Sequence, residues 1–127
     1  MILMKDLILV LKGDIGCETA SFLHGITTYG ELPFVLNSNM NGNVGSIVRW
    51  MKRDYNYKEV KEISDGLFLP SIEDTIVDLF RNCGDYRLLE DSIDFLEDYK
   101  DKDKVIERLK AENLFSLYEE VLEDKEF

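Results

Sequence analysis

The residues best placed to do chemistry lie in two glycine- and asparagine-bearing stretches of the first half. Gly13-Asp14-Ile15-Gly16 follows the apolar run Leu7 to Leu11, and Asn37-Ser38-Asn39-Met40-Asn41-Gly42-Asn43 follows a second short apolar run. If each run is a strand, Asp14 stands at the end of the first, where open α/β sheets bind ligands. The loop over 37–45 would then leave the neighbouring strand on the same side and open a helix carrying Arg49. Free backbone N–H groups at such a helix start attract anions. Asp14, Asn39, Asn41, Gly42 and Arg49 are therefore the candidate ligand-binding residues, for an anionic or nucleotide ligand held by the 13–18 and 37–45 loops. The same residue types are also ordinary turn formers. Neither stretch completes a dinucleotide or phosphate-loop fingerprint, because GxGxxG and a terminal Lys-Ser/Thr are both missing.

The GDIG stretch with the later SNMNGN is similar to the Gly-Asp and Gly-Asn metal loops of metallophosphoesterases. The chain departs from that pattern in having no opening Asp-x-His and a single histidine, His24. LNSNMNGNVG also resembles the Asn-Ser-Pro-Gly-Gly turn of Clp-type proteases, with an insertion, without the proline and without a later Gly-x-Ser segment. Each resemblance covers about 40 residues, and the two assign the same loop incompatible roles. No catalytic residue is carried over from either.

The remaining reactive groups form no set. Cys17 and His24 lie seven residues apart on one expected helix, about 10 Å along its axis, too far for a thiolate–imidazole pair. One histidine and two dispersed cysteines, Cys17 and Cys83, make no zinc site. No metal or cofactor is expected, and with no complete catalytic set the chain reads as a non-enzymatic protein.

Charge carries more information. The net charge is −11 over 127 residues. Residues 85–127 hold fifteen Asp/Glu against seven Lys/Arg, a balance of −8, and residues 1–84 hold eleven against eight, a balance of −3. Within the first part, Arg49 to Lys61 carries five basic and two acidic residues, with Trp50, Tyr55 and Tyr57 interleaved. Such an island can neutralise and stack a nucleic acid, but the overall field argues against direct nucleic-acid binding. Glu90, Asp91, Asp94, Glu97 and Asp98 follow helical spacing, without the central glycine of a calcium loop. They read either as an ordinary solvated helix face or, functionally, as a carboxylate stripe suited to a basic protein surface, one that imitates a phosphate backbone.

The elements that would position these groups read as follows. The run 5–12 suits a buried strand and GDIG the turn after it. Glu18 to Thr28 reads as a helix with Ala20, Phe22, Leu23 and Ile26 on one face and Gly30 as its stop. Leu32 to Leu36 reads as a second strand, parallel to the first through a right-handed crossover. Val44, Ile47, Val48 and Met51 fit a helix, and 58–69 contains a third strand. From Ser71 on the pattern is helical: a helix begins at the Ser71 cap and stops at Gly84, and a second begins at Asp85. Asp101 to Lys104 is a solvated turn, and Asn113 a positive-φ break between two further helices.

These readings give an α+β or small α/β fold, with an N-terminal sheet of two to three strands and crossover helices. A C-terminal helical subdomain of three to four helices follows. Residues 1–127 make one domain, with an α/β half over 1–69 and a helical half over 70–127. The start MILMK has no signal-peptide pattern, no run is long enough for a membrane span, and the sparse cysteines suit a reducing compartment, so the chain reads as cytoplasmic. The functional expectation is a small acidic binding protein of phage or bacterial type, an inhibitor or immunity factor. Its acidic helices would engage a basic enzyme or nucleic-acid-binding surface. Two alternatives are the ligand-binding or enzymatic domain built on the two loops and an adaptor or subunit of an oligomer.

Overall fold

The structure is a computed structural model that describes residues 13–28, 34–37, 48–51, 57–83 and 85–125. Ten elements lie within them. In chain order they are β1 (Gly13–Ile15), α1 (Cys17–Leu23), β2 (Phe34–Asn37), β3 (Val48–Met51), β4 (Val60–Ser64) and β5 (Leu67–Pro70). Then follow α2 (Ile72–Asn82), α3 (Tyr86–Glu97), α4 (Lys102–Ala111) and α5 (Phe115–Lys125). The strands form one mixed sheet in the order β3-β2-β1-β5-β4. The fold is α+β with a C-terminal helical region, and its sheet holds five strands where the sequence suggests two or three.

The sheet departs from the sequence reading in four places. Gly13-Asp14-Ile15 is itself the central strand rather than a turn. The Gly13 N–H donates to the Gly66 carbonyl at 2.7 Å and the Gly16 N–H to the Val35 carbonyl at 2.8 Å, so the segment is bonded on both sides. Residues 5–12, read as that strand, lie outside the described residues. β2 runs antiparallel to β1, with Ile15 opposite Leu36, so the parallel crossover is overturned. α1 has only seven residues, and Gly25 at φ 77° turns the chain out of it. Such a φ suits glycine, which has no Cβ to clash.

Val48–Met51 is a strand parallel to β2 rather than part of a helix. The apolar spacing of 44–51 fits both templates, and ladder bonds to β2 decide between them. Residues 44–47 are outside the described residues. The third expected strand is two strands, β4 and β5, joined as a hairpin at Asp65-Gly66. There Gly66 takes φ 76°, and its N–H donates to the Glu62 carboxylate at 3.2 Å.

The helical region follows its local signals closely. The Ser71 hydroxyl accepts from the Asp74 N–H at 3.1 Å and the Asp85 carboxylate from the Arg87 N–H at 3.0 Å, each capping a helix start. Asn113 sits at φ 61° between α4 and α5. One boundary moves: Lys102 to Lys104, read as a solvated turn, already belong to α4. Gly84 and Gly30, the expected stops, lie outside the described residues; α2 ends on Cys83.

Ile76, Leu79, Ile93, Leu96, Leu109 and Val121 are completely or almost completely buried, and Cys17 and Ile26 join the same cluster from the α1 region. Each fully buried aliphatic side chain contributes on the order of 1.5–3 kcal/mol. α1 turns small side chains inward, Cys17, Thr19, Ala20 and Ser21, while Phe22 and Leu23 are only half-buried. Of the expected face Ala20 and Ile26 are buried, and Phe22 and Leu23 are not. The reason is close approach: the Thr19 hydroxyl accepts from the Val35 N–H of β2 at 2.7 Å, which bulkier side chains would prevent.

Candidate functional site

The five acids of the expected partner-binding stripe lie on α3 and just past its end. α3 buries Leu88, Leu89, Ile93 and Leu96, which leaves its carboxylates on the outer arc. Asp94, Glu97 and Asp98 are exposed, and Glu90 and Asp91 half-buried. Two of the five are engaged. The Thr27 hydroxyl donates to Asp91 at 2.8 Å, and Lys125 pairs with Asp94 at 2.8 Å. The hydrogen bond to Asp94 pushes the Lys125 ammonium above its usual pKa, and Glu90 and Glu97 add to the effect. One lysine therefore sits in the field of three carboxylates.

α5 extends this surface, which the sequence reading missed. It packs against α3, buries Tyr118 and Val121, and presents Glu119, Glu120, Glu123 and Asp124 to solvent. At the other end the Tyr86 hydroxyl donates to the Asp124 carboxylate, tying the start of α3 to the end of α5. That bond pushes the Tyr86 phenol up to about 12. Glu97 in turn adds to the burial that raises the Tyr118 hydroxyl. The signal for the extension was present as acids one and four apart around an apolar Tyr118–Val121 pair.

The predicted loop crevice fares differently. Asp14 lies within β1, its Cα opposite Asn37 of β2. The backbone of Arg49 lies in β3 opposite Val35, so a whole strand separates it from β1. Asn39, Asn41 and Gly42 lie outside the described residues. Residues 13–18 form a strand and a helix start rather than a loop beside a strand end. Gly16 serves packing there: a Cβ at that position would come within 2.6 Å of Val35 Cγ1.

Cys17 is fully buried, and burial with the neighbouring Glu18 carboxylate pushes its thiol well above the ordinary value, so it stays protonated and unreactive. Among the described residues of the basic island, Lys58 and Lys61 are exposed, while the Tyr57 hydroxyl donates to buried Asp78 at 2.8 Å. Tyr55 lies outside the described residues.

Two clefts were not foreseen. They have volumes of about 310 and 220 Å³ and share His24, Glu59 and Ser71. Tyr99, Asp101 and Lys104 line the larger, and Val60, Leu69 and Pro70 the smaller. The Pro70 carbonyl can only accept, so His24 Nε2, 2.7 Å away, carries the proton. Among the described residues no group of three His, Cys, Asp or Glu side chains could hold a metal ion. No helix among them is long and apolar enough to cross a membrane.

Comparison with family models, curated proteins and solved structures finds no match.

Proposed function

We propose that this protein is a small acidic binding protein, an inhibitor or immunity-type factor of phage or bacterial cytoplasm. In this reading it engages a basic surface of an enzyme or nucleic-acid-binding protein through α3 and α5. The observation that supports the reading is the charge on these two helices and the Asp98 cap. Nine carboxylates (residues 90, 91, 94, 97, 98, 119, 120, 123 and 124) face two cations, Arg87 and Lys125. Seven of the nine are exposed. A surface of one sign steers an oppositely charged partner, raises the association rate and gives binding a steep salt dependence. Carboxylates on paired helices present the repeated negative charge that a phosphate-binding groove accepts.

The test is capture of partners from a native lysate, followed by measured affinity for the recovered protein. Neutralising Glu97, Asp98 and Glu120 to glutamine or asparagine is expected to weaken binding at least tenfold, mainly through the association rate. An affinity indifferent to these substitutions and to salt removes the acidic-face reading.

A further inference from the structure

Among the described residues β4 is an edge strand, bonded to β5 on one side only. Its backbone directions follow from the ladder. The Glu59 carbonyl accepts from the Ser71 N–H at 2.9 Å, so Glu59 faces Ser71 in a hydrogen-bonded pair. Antiparallel pairs alternate, so Lys61 opposite Leu69 is bonded inward too, while Val60 and Glu62 turn their N–H and C=O outward. Pro70 opposite Val60 agrees with this, because it has no N–H to give and its carbonyl is taken by His24. The Glu59 N–H also points inward, to Asp74 at 2.8 Å, which turns the Lys58 carbonyl of the same peptide outward. The open edge thus offers Lys58 C=O, both groups of Val60 and both of Glu62. Residues 58–62 are all exposed, and Val60 is one of two exposed large hydrophobics among the described residues.

Charged side chains, Lys above all, commonly blunt an edge strand against pairing. Here the charges of Lys58-Glu59-Val60-Lys61-Glu62 invert sign about Val60. Such a segment is complementary to itself when reversed.

We propose that β4 is a self-pairing edge and that two copies of the chain join through it, antiparallel about Val60, into one continuous sheet. A two-fold axis at Val60 sets Glu59 opposite Lys61 of the second copy and Lys61 opposite its Glu59, with Lys58 and Glu62 likewise matched. The two Val60 residues exchange N–H and C=O. Each Glu62 N–H reaches the facing Lys58 carbonyl, which gives four backbone bonds. The pairing ends there, because the Lys58 N–H is already donated to Asp74. This proposal rests on a different surface from the acidic helices and stands independently of them.

Sedimentation equilibrium of the intact chain over a hundredfold concentration range tests it, with a shift from monomer to dimer expected. K61E sets Glu against Glu at both contacts and E59K sets Lys against Lys, and each weakens the dimer about tenfold or more. An equimolar mixture of the two variants restores wild-type strength, since every such contact is again Lys against Glu. In the wild-type chain, amide exchange at Val60 and Glu62 slows as concentration rises. A chain that stays monomeric, a dimer indifferent to both reversals, a mixture no stronger than its components, or exchange independent of concentration overturns the proposal.

Discussion

The Arg108 guanidinium closes on the Asp74 carboxylate at a point where both side chains are at least 95% buried, joining α4 to the first turn of α2. The second oxygen of Asp74 accepts the backbone N–H groups of Lys58 and Glu59 at 2.9 and 2.8 Å. One carboxylate therefore fixes the entry to β4, the start of α2 and the face of α4. Arg108 also reaches Glu112 at 2.9 Å, and Glu112 pairs in turn with Arg81.

Breaking such a pair from one side leaves an uncompensated buried charge, at a cost of about 3–5 kcal/mol. Asp74→Ala is expected to fall in that range and to loosen the hairpin as well, because two backbone donors lose their acceptor. Arg108→Ala is expected to cost a similar amount. The double variant should lose less than the sum of the two, since neither charge is then left alone. Urea denaturation of the four proteins measures the coupling. Strictly additive losses would mean that the two residues act separately.

Gly16 gives a second prediction. Its N–H is bonded to Val35, and a Cβ there would stand 2.6 Å from Val35 Cγ1. Gly16→Ala must push β2 away from the start of α1 or twist Val35 off its rotamer, at about 1–3 kcal/mol. Val35→Ala in the same chain should recover part of that loss, because it removes the clashing methyl. Thermal unfolding of the single and double variants checks both parts. Gly16 has an extended backbone that alanine also adopts, so a Gly16→Ala chain as stable as the wild type would show that the approach of Val35 does not require glycine there.

The same residue shows how far the sequence could be read. From Ser71 onward the signals are local and survive: the Ser71 and Asp85 caps, the positive φ of Asn113 and the apolar faces of α2 and α3 are each set within one or two turns. The sheet is not local. Gly13 to Gly16 has the composition of a turn, and it is a strand because Gly66 and Val35 bond it from either side, at separations of 53 and 19 residues. Val48 to Met51 has helical apolar spacing and becomes a strand because β2 offers it a ladder. Asp74 has the sequence position of an ordinary first-turn acid. Its partner Arg108 is 34 residues away, and no spacing rule connects them. The acidic stripe of α3 was legible because it has helical periodicity. Its continuation onto α5 depends on the packing of α5 against α3, which no local spacing announces.

Tyr86 supplies a pH-dependent prediction at that helix pair. Its phenol donates to the Asp124 carboxylate, and this bond raises its pKa from 10.0 to about 12 in the folded chain. The folded state thus holds the proton more tightly than the unfolded state does. The bond's contribution to stability is complete below pH 10, declines between pH 10 and about 12, and is absent above. Tyr86 is 38% exposed, so solvent screens the bond and the contribution is small. Burial also raises Tyr99 and Tyr118, so the six tyrosines cannot be assigned from one titration. The difference between wild type and Tyr86→Phe isolates the group: phenolate absorbance should lose one late-titrating step near pH 12. Asp124→Asn should move that step back toward pH 10 without removing it. If Tyr86→Phe removes a step at the ordinary tyrosine position instead, the Tyr86–Asp124 bond is not formed in solution. The start of α3 and the end of α5 would then lack this tie at the end of the acidic face.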